Sequence, residues 1–266
     1  MKKITLFGIA LLLTSCNTVK NYYQVYKTQS ETVKPSGNVI AFEDENCKIS
    51  YNLWSNTGDA GFTFYNKTNE TVQVLLDQSY YVINDYAYDY FQNRVFISTE
   101  KSTLVNTNSS GFAILGRFSY GFSSANTQTV NHTEGKEITE PRTIAIPPKT
   151  AKNISEFNIN QTVFRDCDLL RFPTSKQTSH KTFSKATTPL KFYNSITYKV
   201  SDKTNIVNND FYVSEITNLA ENDIVKQIRN KFCDQKGGAM QSVFTQNAPD
   251  KFYLKYTKTQ LDSWKY

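Results

Sequence analysis

From residue 38 onward, apolar and polar positions alternate with a period of two. Cys47, Ile49, Tyr51 and Leu53 alternate with Lys48, Ser50, Asn52 and Trp54. Phe62 and Phe64 follow a Gly58-Asp59 turn, and Val72, Val74 and Leu76 alternate with Thr71, Gln73 and Leu75. Leu190, Phe192, Ile196, Tyr198 and Val200 share one face, while Lys191, Tyr193, Ser195, Thr197 and Lys199 take the other. Phe252, Leu254 and Tyr256 alternate with lysines and Tyr253. Each pattern is that of a half-buried strand. Short strands with turns roughly every 8–12 residues predict a mainly β fold, an immunoglobulin-like antiparallel β-sandwich. The polar stretch 66–70 reads as a hairpin connection, and Asn84-Asp85 can turn a second hairpin. Ile146-Pro147-Pro148-Lys149 must end a strand or lie on an edge, because proline cannot donate to a ladder. A strand, a proline corner and another strand suit a chain that crosses between two sheets.

One segment departs from the two-residue period. Asn218-Leu219-Ala220-Glu221 has capping-box spacing, and Ile224, Val225, Ile228 and Phe232 recur at helical intervals. Glu221 and Asp223 at the start, with Arg229, Lys231 and Lys236 near the end, suit the helix dipole, and Gly237-Gly238 can terminate it. The expected organisation is a tether over 16–36, a sandwich over 37–204 and an α/β extension over 205–266 with extra strand. Tyr22 to Tyr26 form a candidate early strand within the tether. A long polar insertion spans 98–135. Its centre, GFAILGRFSYGF, is read as placing Phe112, Ile114, Phe118, Tyr120 and Phe122 on one strand face. This is either a surface hairpin on long polar arms or a mobile loop with an apolar tip for a partner or lipid surface; loops of this length are usually functional or disordered.

The first residues have a different character. Lys2 and Lys3 precede an apolar run from Ile4 to Leu13. A bilayer-spanning helix needs about 20 apolar residues, so the run matches the basic and apolar regions of a secretory signal instead. Leu13-Thr14-Ser15-Cys16 resembles a bacterial lipoprotein lipobox. That resemblance implies removal of residues 1–15 and acylation of the Cys16 thiol, with membrane lipid as its partner. Two or more acyl chains hold a protein stably on its membrane. The remaining 251 of 266 residues carry a net charge of +4 rather than +6, with no Lys/Arg block, which is no nucleic-acid footprint. Cys47, Cys167 and Cys233 remain, an odd number with three pairings open. The strings CKISYNLWSNTGDAGFTFYNKTN, IPPKTAKNISEFNI, RDCDLLRF and FYVSEITN also resemble lipoproteins of Bacteroidota of uncharacterised activity. The resemblance carries over no residue role beyond Cys16. Asn17, in place of aspartate after the Cys, implies the outer membrane facing the periplasm; the absence of acidic residues there speaks against surface display.

Candidate chemistry is sparse. His132 and His180 have no Cys or second His at ligand spacing, and the acidic run Phe42 to Asn46 lacks calcium-loop spacing, so no metal or cofactor is expected. Asp166 and Asp168 flank Cys167 and disfavour its thiolate, so a buried or disulfide-linked thiol is expected there. No G-x-S-x-G elbow or P-loop occurs. Tyr86, Tyr88 and Tyr90 would share a strand face, where they either support the sheet as cross-strand pairs or stack on sugar rings. The expectation is a non-enzymatic binding or assembly module with an envelope partner; the alternatives are a surface glycan binder and, last, a hydrolase.

Overall fold

The computed structural model describes residues 19–102, 110–115, 118–123, 132–177, 179–229, 233, 238–259, 262 and 265, with backbone only between 96 and 137. The first half of the chain forms β1 (Lys20–Gln29), β2 (Lys34–Ser36), β3 (Val39–Glu43), β4 (Cys47–Tyr51), β5 (Phe62–Asn66), β6 (Val72–Leu75), β7 (Tyr80–Ile83) and β8 (Tyr86–Asp89). Then come β9 (Val95–Ser102), β10 (Ser110–Leu115), β11 (Phe118–Ser123), β12 (His132–Thr139), β13 (Thr143–Ile146) and β14 (Ala151–Ile154). The remainder is β15 (Ser179–Thr182), β16 (Lys191–Val200), β17 (Lys203–Ala220), the one-turn helix α1 (Glu221–Ile224), β18 (Val225–Arg229), β19 (Met240–Phe244) and β20 (Lys251–Lys258).

The fold is mainly β and its named strands all pair antiparallel. A nine-stranded sheet runs β13-β6-β16-β17-β1-β20, with β15 beside β17 and the β7–β8 hairpin beside β16. A five-stranded sheet runs β14-β5-β4-β3-β2. The alternation explains why the two share a core. Ile49, Phe62 and Phe64 from the smaller sheet and Val74, Ile196, Tyr198 and Phe211 from the larger are all buried in one cluster. Phe64 meets Tyr198 edge-on at 5.2 Å, and Tyr51 meets Phe211 at 5.2 Å. No described helix is long and apolar enough to cross a membrane.

Both expected turns at 84 and 146 occur. Asn84 and Asp85 take positive φ (45° and 70°), as the two-residue hairpin between β7 and β8 requires. After Ile146 the prolines carry the chain from β13 in the larger sheet to β14 in the smaller. The stretch 66–70 is not a hairpin connection, because β5 and β6 lie in different sheets and the stretch crosses between them. Buried Asn66 ties the two crossings together. Its Nδ2 donates to the carbonyls of Glu70 (2.7 Å), Ile146 (3.0 Å) and Pro147 (3.1 Å), and its Oδ1 accepts from Thr68 N–H at 2.8 Å.

Three expectations are corrected. The expected tether over 16–36 is not one in its described part, residues 19–36: β1 lies between β17 and β20, with Tyr22, Tyr23, Val25 and Tyr26 buried. The stretch 205–266 is not an extension either, since β17 is central to the larger sheet and pairs with β1, β15 and β16. The expected C-terminal helix is reduced to Glu221–Ile224, after which β18 pairs with β19. Asn218 cannot cap, because it is buried in β17. Its Nδ2 donates to Leu170 O and its Oδ1 accepts from Gln24 Nε2, both at 2.8 Å. A ladder to 240–244 overrides the local helical pattern, as tertiary pairing commonly does.

Asn66→Ala would remove the buried amide that three carbonyls at the two sheet crossings share. It is expected to lower stability by about 1–3 kcal/mol, read as a shifted urea midpoint with an unchanged slope. An unshifted midpoint would contradict the role given to Asn66.

Candidate functional site

The insertion and the β18–β19 ladder stand outside both main sheets, and the insertion is the larger of the two. β9 and β12 pair from Val95 opposite Thr139 to Ser102 opposite His132, forming a two-stranded arm of their own. Glu140 N–H donates to Arg94 O at 2.9 Å and closes the arm's base. The Glu140 carboxylate is buried there and fully used. Its Oε2 accepts the backbone N–H groups of Gln92 and Arg94, both at 3.0 Å. Its Oε1 accepts Arg94 Nε at 3.2 Å and Arg94 Nη2. Arg94 Nη1 then reaches Glu156 Oε2 at 2.8 Å, just beyond β14. One guanidinium therefore joins the arm to the segment that follows the smaller sheet's edge strand. The fork geometry of arginine suits this double task, which a lysine point charge would not perform.

Beyond the arm's first strands, β10 and β11 pair with Phe112 opposite Gly121, Tyr120 opposite Ala113, Phe122 opposite Gly111 and Phe118 opposite Leu115. Directly opposed residues fall on the same face of a ladder. Phe118, Tyr120 and Phe122 therefore share a face, and Phe112 with Ile114 occupies the other. The single five-residue face read from the sequence is corrected, because the turn sets a register that a linear count does not contain.

The three tyrosines also separate. Tyr86 and Tyr88 are 73% and 49% exposed, but Tyr90 is fully buried and donates from its hydroxyl to Asn194 Oδ1 at 2.7 Å. Tyr90 lies one residue past the end of β8, where its N–H donates to Ser79 O at 3.1 Å and the chain turns inward. It is a core residue, corrected from the presumed surface triad. Tyr88 stands opposite Tyr81 and near Phe157, with ring centroids 6.4 Å and 6.1 Å away. The Tyr81 hydroxyl beneath them is buried with no hydrogen-bond partner.

The remaining candidates have structural surroundings. Cys47, Cys167 and Cys233 are all free thiols; Cys47 is buried, whereas Cys167 and Cys233 are exposed. Burial pushes the Cys47 thiol up to about 12, which removes it as a nucleophile at neutral pH. Cys167 is neither buried nor disulfide-linked as expected, because the Asp166–Leu169 turn that carries it faces outward. In the acidic run, Asp44 Oδ1 accepts the N–H groups of Asn46 (2.8 Å) and Cys47 (2.7 Å), and Lys67 reaches Glu43 at 2.8 Å. His180 lies in β15, opposite Thr217. Among the described residues no three His, Cys, Asp or Glu side chains gather as a metal site. Cys16 lies outside the described residues.

With the geometry in view, comparison with known proteins adds no relative: no family model, curated protein or solved structure matches the chain.

Sequence reading overlooked Arg94, Glu140 and Glu156. Their only signal was position, as charged residues bracketing a polar insertion. The Arg94 guanidinium, bonded to Glu140, holds that carboxyl below its ordinary range. Its stabilisation is therefore complete above the unfolded-state value of about 4.3 and is lost as pH falls through the depressed folded value. Glu140→Gln is expected to cost about 1–3 kcal/mol at pH 7, a difference that shrinks as the pH falls below about 4. Parallel urea titrations across pH check this; a pH-independent difference would contradict it.

Proposed function

We propose that the chain is a lipid-anchored cell-envelope protein, acylated at Cys16 at the outer membrane and facing the periplasm. It acts as a non-enzymatic binding or assembly module on an immunoglobulin-like sandwich. The sandwich reading is supported by two antiparallel sheets around one core, with the chain crossing between them at 66–72 and 146–151. The envelope location is supported by the basic start, the short apolar run and Leu13-Thr14-Ser15-Cys16. The observation that carries the binding role is the arm. An eight-residue ladder that joins neither main sheet is held at its base by Glu140, Arg94 and Glu156. Those bonds fix where the arm leaves the body of the fold. Partner contact through Phe118, Tyr120 and Phe122, with Phe112 on the opposite face, is the role assigned to it.

A second reading rests on Tyr86 and Tyr88. Both are exposed at the margin of the larger sheet, with Phe157 beside Tyr88 and an unpartnered Tyr81 hydroxyl nearby. Paired exposed rings of this kind stack on sugars, so a glycan on the cell surface is the alternative ligand.

One set of variants separates the readings. Because Arg94 O and Glu140 N are already hydrogen-bonded, Asn-Gly can replace residues 95–139 as a two-residue turn. The armless protein is expected to fold and to lose its crosslinked envelope partner in cells. Retention of that partner would contradict the arm's role. Tyr86→Ala with Tyr88→Ala is expected to leave crosslinking intact. Oligosaccharide quenching of intrinsic fluorescence that the double variant abolishes would instead favour the glycan reading.

A further inference from the structure

The lipid-anchor reading has a geometric consequence for how the fold meets the membrane. Only Asn17, Thr18 and Val19 separate Cys16 from Lys20, the first residue of β1. Fully extended, that link covers at most about 14 Å. No tether exists to hold the body away, since β1 is a buried strand of the larger sheet. The end of the fold where β1 begins must then lie at the bilayer surface.

That end has a suitable chemistry. Lys20 stands opposite Lys258 in the ladder, and the Lys258 ammonium sits over the Phe172 ring at 5.1 Å. The following loop carries exposed Lys176. Between them lies a groove of about 340 Å³ lined by Val19, Lys20, Tyr22, Pro173, Ser175 and Glu221. Two of the nearby carboxylates already have partners, while Asp223, beside Pro173 and Ser175, forms no ion pair among the described residues. Glu221 accepts both Asn21 Nδ2 contacts (3.1 and 3.0 Å) and lies 3.9 Å from Lys255, while Asp262 pairs with Arg171 at 3.3 Å. Among the described residues, Lys20, Lys176 and Lys258 make no ion pair. Val19 is 65% exposed beside them.

We propose that Lys20, Lys176 and Lys258 seat this end of the fold directly on anionic phospholipid headgroups. The proposal rests on the lipid-anchor reading and adds an orientation to it. Lysines beside an anionic leaflet are attracted within about a Debye length of its surface, about 8 Å at physiological salt, and the leash keeps Lys20 within about two such lengths. The consequence reaches the arm. Ile144, Val74, Tyr198 and Asn205 stand side by side across the larger sheet, fifteen residues along β17 from Ala220, which pairs with Tyr22 near the seated end. Allowing four residues back from Ile144 to Glu140, about 35 Å of strand separates the arm's base from the headgroups. The arm's base is thus set well back from the headgroups.

The test uses the full lipidated chain, with Cys167→Ser and Cys233→Ser, in vesicles of phosphatidylethanolamine and phosphatidylglycerol carrying a headgroup spin label. A fluorophore is placed through Ser175→Cys in the seated loop, or through Asp202→Cys in the turn between β16 and β17. The expected result is several-fold stronger quenching at 175 than at 202. Changing Lys20, Lys176 and Lys258 together to Glu is expected to reduce that contrast while the protein still sediments with vesicles. Equal quenching at both positions in sedimenting protein overturns the orientation and leaves the anchor standing. Sedimentation unchanged by Cys16→Ser, or absent in the parent, overturns the anchor and the orientation with it.

Discussion

Two sheets must each bury one face against the other, and the aromatic content of those faces makes this the constraint on which everything else depends. Tyr51, Phe62, Phe64, Tyr198 and Phe211 all lie inside, and the buried tyrosine hydroxyls need partners where water cannot reach. The Tyr198 hydroxyl donates to Asp44 Oδ2 at 3.1 Å, and asparagines of the larger sheet serve Tyr51 and Tyr90. Asn194 accepts from Tyr90 at 2.7 Å and donates to Ala60 O at 2.9 Å; Asn209 donates to the Tyr51 hydroxyl at 2.7 Å. Each bond crosses from the larger sheet to an element packed upon it. Sliding one sheet over the other would break several at once. The apolar faces thus provide the driving force, and the buried amides fix the register.

The same logic extends to the edges. β20 is an edge strand, with a row of unpaired backbone groups that invites intermolecular pairing. The stretch Ser55–Thr57 covers it: Tyr253 N–H donates to Ser55 O at 3.2 Å, and Thr57 N–H donates to Tyr253 O at 2.8 Å. Gly58, at φ 74°, turns the chain away so closely to Ile159 and Phe252 that a Cβ would stand 2.8 Å and 2.9 Å from their side-chain atoms. The Gly58-Asp59 turn signal in the sequence therefore marks both a turn and a protected edge.

Strands whose inward residues alternate without interruption were legible from the sequence: β4, β5, β6, β16 and β20 all lie where the alternation puts them. β17 was not, and the reason is local. Val207, Asn209, Phe211 and Val213 point inward on odd positions, whereas Ser214, Ile216 and Asn218 are buried on even ones. Between Lys27 and Thr28 the pairing of β1 skips Ser214, a bulge that switches the inward parity of β17. A period-two count breaks there, so an eighteen-residue strand was divided between a boundary at 204 and a helix beginning at 218. Buried polar residues add to the concealment, since Asn218 in a helix cap and Asn218 in a buried ladder are identical letters. The candidate site suffers from the same limit. The arm's length was visible as a polar insertion, but Arg94, Glu140 and Glu156 meet only through pairing that brings residue 94 beside 140.

What joins sequence and structure is the short distance from Cys16 to β1. A lipid on Cys16 makes the end bearing Lys20 the membrane side, and the arm's base then lies well back from it. The most direct measurement is the mass of the N-terminal peptide from protein purified out of its native membrane. The account predicts a mature chain that starts at Cys16 and carries the mass of diacylglycerol on its thiol. A chain that retains residues 1–15, or that starts elsewhere with an unmodified Cys16, would contradict it.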